Sequence, residues 1–238
     1  MFLILLGWRS LSLFSVSPLW ISLGIVALYL GILLLISEGL NRFKNTDAEF
    51  TRKIFHIGSG QVILLAWWLA IPAWLIVIAA ILASIIAIVS YFLPILPSIN
   101  SVGRKSLGTF FYAVSIGVLV SYFFPLQHPY YAVIGVLIMA WGDGLAAIIG
   151  QRFGKHSYQI GGIKKSWEGS LAMLGASFLV TAIVLASVYG IIWQVFLISL
   201  WVAIAATGLE AFSKLGIDNL TVPLGSGILT FYLVKLLL

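Results

Sequence analysis

Long apolar stretches, unbroken by charge, constrain this chain more than any other feature of its sequence. Stretches such as 72–93 and 173–189 approach the ~20 residues that a helix needs to cross ~30 Å of hydrocarbon. Only 8% of the residues are charged, which is too few to cover a water-exposed surface. The apolar residues run continuously and do not alternate, which argues against a membrane β-barrel. The sequence therefore predicts an all-α fold, a polytopic integral membrane helix bundle.

Charged residues and Gly/Pro positions divide the apolar sequence into seven or eight helices. The predicted spans are 18–40, 54–71, 73–93, 108–124, 130–150, 167–190, 193–209 and 223–238. The last two are short for a full crossing, so seven spans with a re-entrant end are an alternative. Residues 1–238 are predicted to form a single membrane domain, with 1–17 as an interfacial lead-in.

Ionic residues fall almost entirely on one side of the predicted bundle, which we call the basic side. It receives the loops 41–53, 94–107, 151–166 and 210–222. Of the 13 Lys and Arg, only Arg9 and Lys235 fall on the other side. The positive-inside rule makes the basic side cytoplasmic. This bias, or an anionic ligand, accounts for the net charge of +6 without a nucleic-acid partner.

Acidic residues also gather at or near the basic side, although the positive-inside rule does not require it. They are Glu38, Asp47, Glu49, Asp143, Glu168, Glu210 and Asp218. A shared functional face explains this clustering, and the shortness of the turns on the other side is the simpler alternative. The chain has no cysteine, which excludes thiolate catalysis and cysteine-bound metals.

Asp143 lies inside a predicted apolar span. An ionisable group there is costly and by default marks a functional site. Asp143, Ala146, Ala147, Gly150 and Gly154 recur at helical spacing, which predicts a small-residue face open to a ligand or to another backbone. The alternative is a helix-packing seam in which Asp143 is hydrogen-bonded to a neighbour.

A second segment joins a lysine pair to a predicted helix start. Ser166 follows Lys164 and Lys165 and is a plausible N-cap for the next span. Free backbone N–H groups and the positive end of the helix dipole, beside two lysines, suit a phosphate. Glu168 would cap the dipole or hold a metal-bound water. Ordinary positive-inside anchoring is the alternative.

A third segment combines cations with a histidine. Thr46 and Glu49 fit a capping box, so a helix is predicted to start there. Arg52 and His56 then share one helix face, and Lys53 lies three residues before His56. These groups would hold a phosphate or accept an alcohol proton. Snorkelling cations beside a hydrogen-bonded histidine are the alternative.

Two further segments lie on the basic side. Arg104 and Lys105 form another cation pair before a helix start. Glu210 and Asp218 offer hard oxygen ligands for Mg²⁺, or Asp218 belongs to a turn that Pro223 ends. Cations suit nucleotide phosphates and acids suit Mg²⁺. The pattern thus predicts a membrane enzyme or carrier that handles a phosphorylated ligand.

At these residues the sequence resembles the polyprenol kinase family, most of all its phytol kinases, and more distantly the dolichol kinases and CDP-diacylglycerol synthases. The matching segments are RKIFH at 52–56, GRKSLGTFFY at 103–112, residues 143–169 and DNLTVP at 218–223. The family's CTP-binding loop corresponds here to Asp143, Ala146, Gly150, Gly154, Lys164, Lys165, Glu168 and Gly169. The proline–glycine–histidine ending of the cytidylyltransferases is absent.

The resemblance implies transfer of the γ-phosphate of CTP to an isoprenoid alcohol, above all phytol, giving phytyl phosphate and CDP for tocopherol biosynthesis. The implied catalytic residues are Asp143, Arg52, Lys53 and His56, without assignment of the base. The implied nucleotide-binding residues are Gly150, Gly154, Lys164, Lys165, Ser166, Glu168, Gly169, Arg104 and Lys105. The implied ligands of Mg²⁺ are Asp143, Asp218 and Glu210. The partners would be phytol, CTP and membrane lipid, with a homo-oligomer left open.

Other functions stay open at this point. A related enzyme would phosphorylate farnesol or dolichol, or transfer CMP to phosphatidate. A transporter of an anionic lipid would often show an inverted repeat, and none is recognisable here. A non-catalytic assembly subunit would not need an acid such as Asp143 inside the membrane.

Overall fold

The computed structural model describes residues 18–42, 48–92 and 107–238, with the side chains of residues 41, 42, 48 and 49 left aside. Several predicted features lie outside these residues: the lead-in 1–17, Thr46 of the capping box, and the cation pair Arg104 and Lys105. Everything that follows concerns the described part of the chain.

The described chain is almost entirely helical. Its elements in order are α1 (Leu19–Arg42), α2 (Ala48–Gly60), α3 (Val62–Trp68), α4 (Ala73–Phe92), α5 (Gly108–Phe123), α6 (Pro129–Leu137), a π-helical turn (Ile138–Asp143), α7 (Gly144–Phe153), β1 (Ser157–Ile160), β2 (Ile163–Ser166), α8 (Trp167–Tyr189), α9 (Trp193–Phe212) and α10 (Asp218–Leu237).

Six helical segments among the described residues are long and apolar enough to cross a membrane. They are α1, α4, the continuous rod Pro129–Phe153 formed by α6 to α7, and α8, α9 and α10. Helix α5 is apolar but shorter. The predicted membrane helix bundle is confirmed, with a count close to the seven or eight spans expected.

Three predicted spans have different bounds in the structure. The span 54–71 is divided at Gln61 into α2 and α3. The spans 193–209 and 223–238 are longer than predicted, since α9 and α10 have 20 residues each. Glu210, beyond the predicted end of the first of these spans, lies within α9 and is paired with Lys165. Pro223 lies inside α10, so the prediction that it ends a turn was wrong, and a short re-entrant end is not needed.

The rod Pro129–Phe153 is the centre of the bundle. It packs against α2, α5, α8 and α10. Its residues Val133, Ile134, Ile138 and Met139 are fully buried. The π-helical turn widens the middle of this rod, and such turns often occur at functional sites. Asp143 is the last residue of that turn.

A short β-hairpin connects the rod to α8. Strand β1 pairs antiparallel with β2, and the turn between them is Gly161–Gly162. Both glycines have positive φ, 57° and 86°, which matches the tight hairpin turns that glycine favours. The all-α prediction missed this hairpin, which places Lys164 and Lys165 on a strand.

Candidate active site

A buried ion pair joins the two most informative segments of the sequence. Lys53 Nζ on α2 lies 2.5 Å from Asp143 Oδ2 at the end of the π-helical turn. The two side chains are only 10% and 12% exposed. Removing one partner of such a pair leaves a buried charge uncompensated, at a cost of about 3–5 kcal/mol. The ion pair therefore holds α2 against the central rod, as well as placing two opposite charges inside the bundle.

His56 and Tyr112 flank this pair with unused hydrogen-bonding capacity. His56 lies one helical turn after Lys53, and its Nε2 is 3.9 Å from Asp143 Oδ2. The His56 and Tyr112 rings are 4.8 Å apart. Among the described residues, neither His56 Nε2 nor Tyr112 Oη has a hydrogen-bond partner, although both atoms are buried. Two unpaired polar atoms beside a carboxylate are costly unless a ligand engages them.

A second ion pair forms where the hairpin meets the end of α9. Lys165 Nζ contacts the Glu210 carboxylate and donates to the Glu210 backbone carbonyl at 3.2 Å. The side chains are 20% and 6% exposed. Neighbouring residues of a strand point to opposite faces, so Lys164 is exposed while Lys165 is turned inward. The structure thus separates two lysines that the sequence analysis had given one role.

Asp218 connects the two ion pairs electrostatically. It lies in the first turn of α10 and interacts with the charges of Asp143, Lys53 and Lys165. Glu210 in turn interacts with Asp143 and Asp218. We call Lys53, Asp143, Lys165, Glu210 and Asp218 the charged cluster. Residues from four distant parts of the sequence therefore lie within electrostatic reach of one another.

The charged cluster offers oxygen ligands but no complete metal cage. Within the described ranges, no three His, Cys, Asp or Glu side chains are grouped to hold a metal ion. Asp143 and Glu210 each contact a lysine. Asp218 instead accepts hydrogen bonds from the Asn219 backbone and side chain, at 3.0 and 3.1 Å. The set fits a magnesium ion carried by phosphates, which needs only one or two protein carboxylates.

The predicted N-cap is confirmed, but it leaves few donors for a phosphate. Ser166 Oγ accepts from the Gly169 N–H at 3.1 Å. The Trp167 N–H donates to the His156 carbonyl at 3.0 Å. Glu168 accepts from His156 Nδ1 at 2.7 Å and from the His156 N–H. Ser166 and Glu168 therefore close the hairpin onto α8 instead of opening the helix start to a ligand.

The predicted small-residue face packs against the start of α8. A Cβ added at Gly150 would lie 3.0 Å from Ser166 Oγ, and one added at Gly169 would lie 2.8 Å from the Ala146 carbonyl. At Gly154 it would lie 2.9 Å from the Ser166 Cβ. The alternative of a helix-packing seam thus describes these glycines, while Asp143 serves the charged cluster beside them.

The remaining predicted residues are less central. Arg52 lies on α2 with an exposed side chain. Arg104 and Lys105 fall outside the described residues. Tyr112 was not predicted as a site residue, although it ends the family-like segment 103–112. Its only sequence signal was that segment, because its contact with His56 is tertiary.

Fold and site together define a class: multi-pass helical membrane proteins with a mostly buried cluster of paired charges contributed by several helices and a hairpin. A phytol kinase of Synechocystis sp. is 58% identical to the chain over 214 residues, which cover 90% of this chain and 92% of the relative. A probable chloroplastic phytol kinase of Glycine max is 28% identical over 218 residues, covering 83% of this chain and 70% of the relative. One of Triticum aestivum is 27% identical over 216 residues, covering 82% and 71%. The chain belongs to the phytol kinase family.

The predicted resemblance to phytol kinases is thereby confirmed. The more distant likeness to dolichol kinases and CDP-diacylglycerol synthases stays a prediction. No protein-family model matches the chain, and no solved structure matches it.

Proposed function

We propose that this protein is a membrane lipid kinase that phosphorylates phytol with CTP, giving phytyl phosphate and CDP. Membership of the phytol kinase family supports the substrate and the reaction class. The observation that carries the proposal is the buried Lys53–Asp143 pair beside unpartnered atoms of His56 and Tyr112. An alcohol hydroxyl, which both donates and accepts, has the chemistry to engage this set.

The reaction needs positioning and charge stabilisation more than covalent chemistry from the protein. The phytol oxygen attacks the γ-phosphorus while the bond from that phosphorus to the β–γ bridging oxygen breaks. The alcohol proton leaves, and Asp143 and His56 are the groups beside this position that can accept it. Lys53 and Lys165 supply positive charge for the transferred phosphoryl group and for the departing CDP.

A magnesium ion carried by the nucleotide would supply neutralisation of phosphate charge. Asp218 and Asp143 would hold the ion, because both are hard oxygen donors within electrostatic reach of each other. Glu210, the third predicted ligand, is paired with Lys165, as Asp143 is paired with Lys53. In this proposal Glu210 orients Lys165.

The proposal also covers the orientation in the membrane, the domain organisation and the remaining cations. The basic side faces the cytoplasm of a plasma or thylakoid-type membrane, so that CTP reaches the charged cluster from water. Residues 1–238 act as one domain. Lys164, Arg52, Arg104 and Lys105 attract the nucleotide through long-range charge, which acts without direct contact.

The test is a labelling experiment on the purified full-length protein in lipid nanodiscs with phytol and Mg²⁺. With γ-labelled CTP we expect labelled phytyl phosphate, and with α-labelled CTP we expect label only in CDP. Transfer of the α-label to phosphatidate included in the nanodiscs would instead identify a cytidylyltransferase. Farnesol and dolichol serve as competing substrates, and a strong preference for either would overturn phytol as the substrate.

A further inference from the structure

An apolar groove between α9 and α10 ends one helical turn from the charged cluster. Its volume is about 540 Å³, within the ~300–1,000 Å³ typical of small-molecule sites. Its lining includes Ala205, Gly208, Phe212, Ile217, Gly225 and Leu229. Phe212 and Ile217 are 69% and 41% exposed, so the groove is open towards the lipid.

The groove has one polar end, formed by Ser213 and Thr221. Their hydroxyl oxygens lie 3.3 Å apart across the two helices. Ser213 lies three residues after Glu210, and Thr221 lies three residues after Asp218. Thr221 and Asp218 are neighbours on the surface of α10. The Ser213 N–H donates to the Glu210 carbonyl at 3.2 Å, so the polar end adjoins two residues of the charged cluster. A molecule with an apolar tail and a single polar head matches this layout.

The groove also has room for the first part of an isoprenoid chain. From the polar end, its α10 wall extends from Thr221 to Leu229, which at ~1.5 Å per residue is roughly 12 Å. Its width comes from residues that lack bulk. Around Gly208, no atom lies within 4 Å of the position that a Cβ would take, so this part of the groove is empty space.

We propose that this groove holds the isoprenoid chain of the alcohol substrate and directs its hydroxyl into the charged cluster. This inference rests on the proposed function for the identity of the alcohol. Binding in the groove gains little from the hydrophobic effect, because the isoprenoid chain displaces lipid tails that are as apolar as itself. Its contribution is orientation: it presents the hydroxyl to the phosphate instead of leaving it free to diffuse in the membrane plane.

The test fills the groove without touching the charged cluster. Gly208→Leu places a side chain in the empty space, and Gly175→Leu on α8 is the matched control, because a Cβ at Gly175 also meets nothing within 4 Å. In nanodiscs we expect Gly208→Leu to raise the KM for phytol about tenfold, a typical effect of a blocked apolar pocket. The KM for CTP should stay within about twofold of wild type, and Gly175→Leu should alter neither KM by more than about twofold. Equal KM values in the two variants would overturn the inference.

A second measurement tests binding of the chain in the groove independently of kinase activity. A phytol analogue with a photoreactive diazirine at its chain end should label residues of α9 and α10 in the wild type and the Gly175→Leu variant, and label Gly208→Leu much less. Labelling confined to other helices would place the chain elsewhere, even if the protein proved to be a phytol kinase. Labelling of the groove in a protein without kinase activity would refute the proposed function but support the groove as the binding site of the chain.

Discussion

Two polar clusters lie at different places in the bundle, and they differ in how completely their groups are paired. Near the start of α6, the Tyr130 hydroxyl lies 2.7 Å from that of Tyr189 and 3.0 Å from His128 Nδ1. The Tyr131 hydroxyl lies 3.4 Å from Tyr189 Oη. We call these four residues the tyrosine cluster. It carries no Lys, Arg, Asp or Glu, and each of its tyrosine hydroxyls has a partner.

In the charged cluster and its neighbours, by contrast, some buried polar atoms are unpaired. Lysines and carboxylates are paired, but the buried His56 Nε2 and Tyr112 Oη beside them have no partner among the described residues. Neutral, fully bonded hydroxyl groups stabilise a structure and suit the aromatic belt at a membrane interface. A partly satisfied charged site is retained at an energetic cost, which is expected where a ligand completes it. Unpaired polar atoms beside charged groups, more than polarity alone, therefore distinguish the charged cluster from the tyrosine cluster.

The largest expected effect is the loss of activity when Asp143 is neutralised. Asp143→Asn keeps the shape of the side chain but removes the charge that, in the proposed mechanism, orients the alcohol and binds the metal. We expect kcat/KM for phytol to fall about 10²–10³-fold, as for other preorganised electrostatic groups. The measurement is steady-state phosphorylation in nanodiscs. A variant with the wild-type rate would remove Asp143 from the mechanism.

The second prediction concerns the stability that the Lys53–Asp143 pair confers. Lys53→Met leaves a buried carboxylate without its partner, which should cost about 3–5 kcal/mol, or roughly 10 °C in Tm. The double variant Lys53→Met/Asp143→Asn removes both charges and should recover most of that loss. Thermal unfolding in one detergent compares the two. If the double variant were as unstable as the sum of the single ones, the ion pair would not be the cause.

Some of this arrangement could be predicted from the sequence, and some could not. The helices followed from apolar runs, and the Ser166 N-cap followed from its position before a span. Lys53 and Asp143 were both singled out, but their pairing spans 90 residues and depends on helix packing that local spacing does not encode. The Gly161–Gly162 turn was a readable hairpin signal, yet its four-residue strands are too short to show a clear alternation. Without the strand, Lys164 and Lys165 looked equivalent.

The opposite orientations of Lys164 and Lys165 give the third prediction. Lys165→Gln should lower kcat/KM roughly 10²-fold, since it removes an inward-facing cation, whereas the exposed Lys164→Gln should change it by less than about threefold at moderate salt. Because Lys165→Gln also leaves Glu210 unpaired, the double variant Lys165→Gln/Glu210→Gln is needed. It should regain stability without regaining activity. Similar rates for the two single lysine variants would contradict the arrangement in which strand β2 turns Lys164 outward and Lys165 inward.

The smallest and sharpest test applies one chemical change to both clusters. Tyr189→Phe and Tyr112→Phe each delete a single hydroxyl from a mostly buried ring. Tyr189 Oη bonds two other hydroxyls, so its loss should cost about 1 kcal/mol, or ~2–4 °C in Tm, with kcat/KM within about twofold of wild type.

Tyr112→Phe should give the reverse pattern. Its hydroxyl has no partner among the described residues, so its removal should leave Tm unchanged or slightly higher, because an unsatisfied buried group disappears. If that hydroxyl instead contacts substrate, kcat/KM should fall about tenfold. Unfolding and phosphorylation are measured on the same two preparations. Should Tyr112→Phe destabilise the protein and leave the rate intact, the unpaired hydroxyl would be a structural feature, and the contrast between the clusters would no longer locate the site.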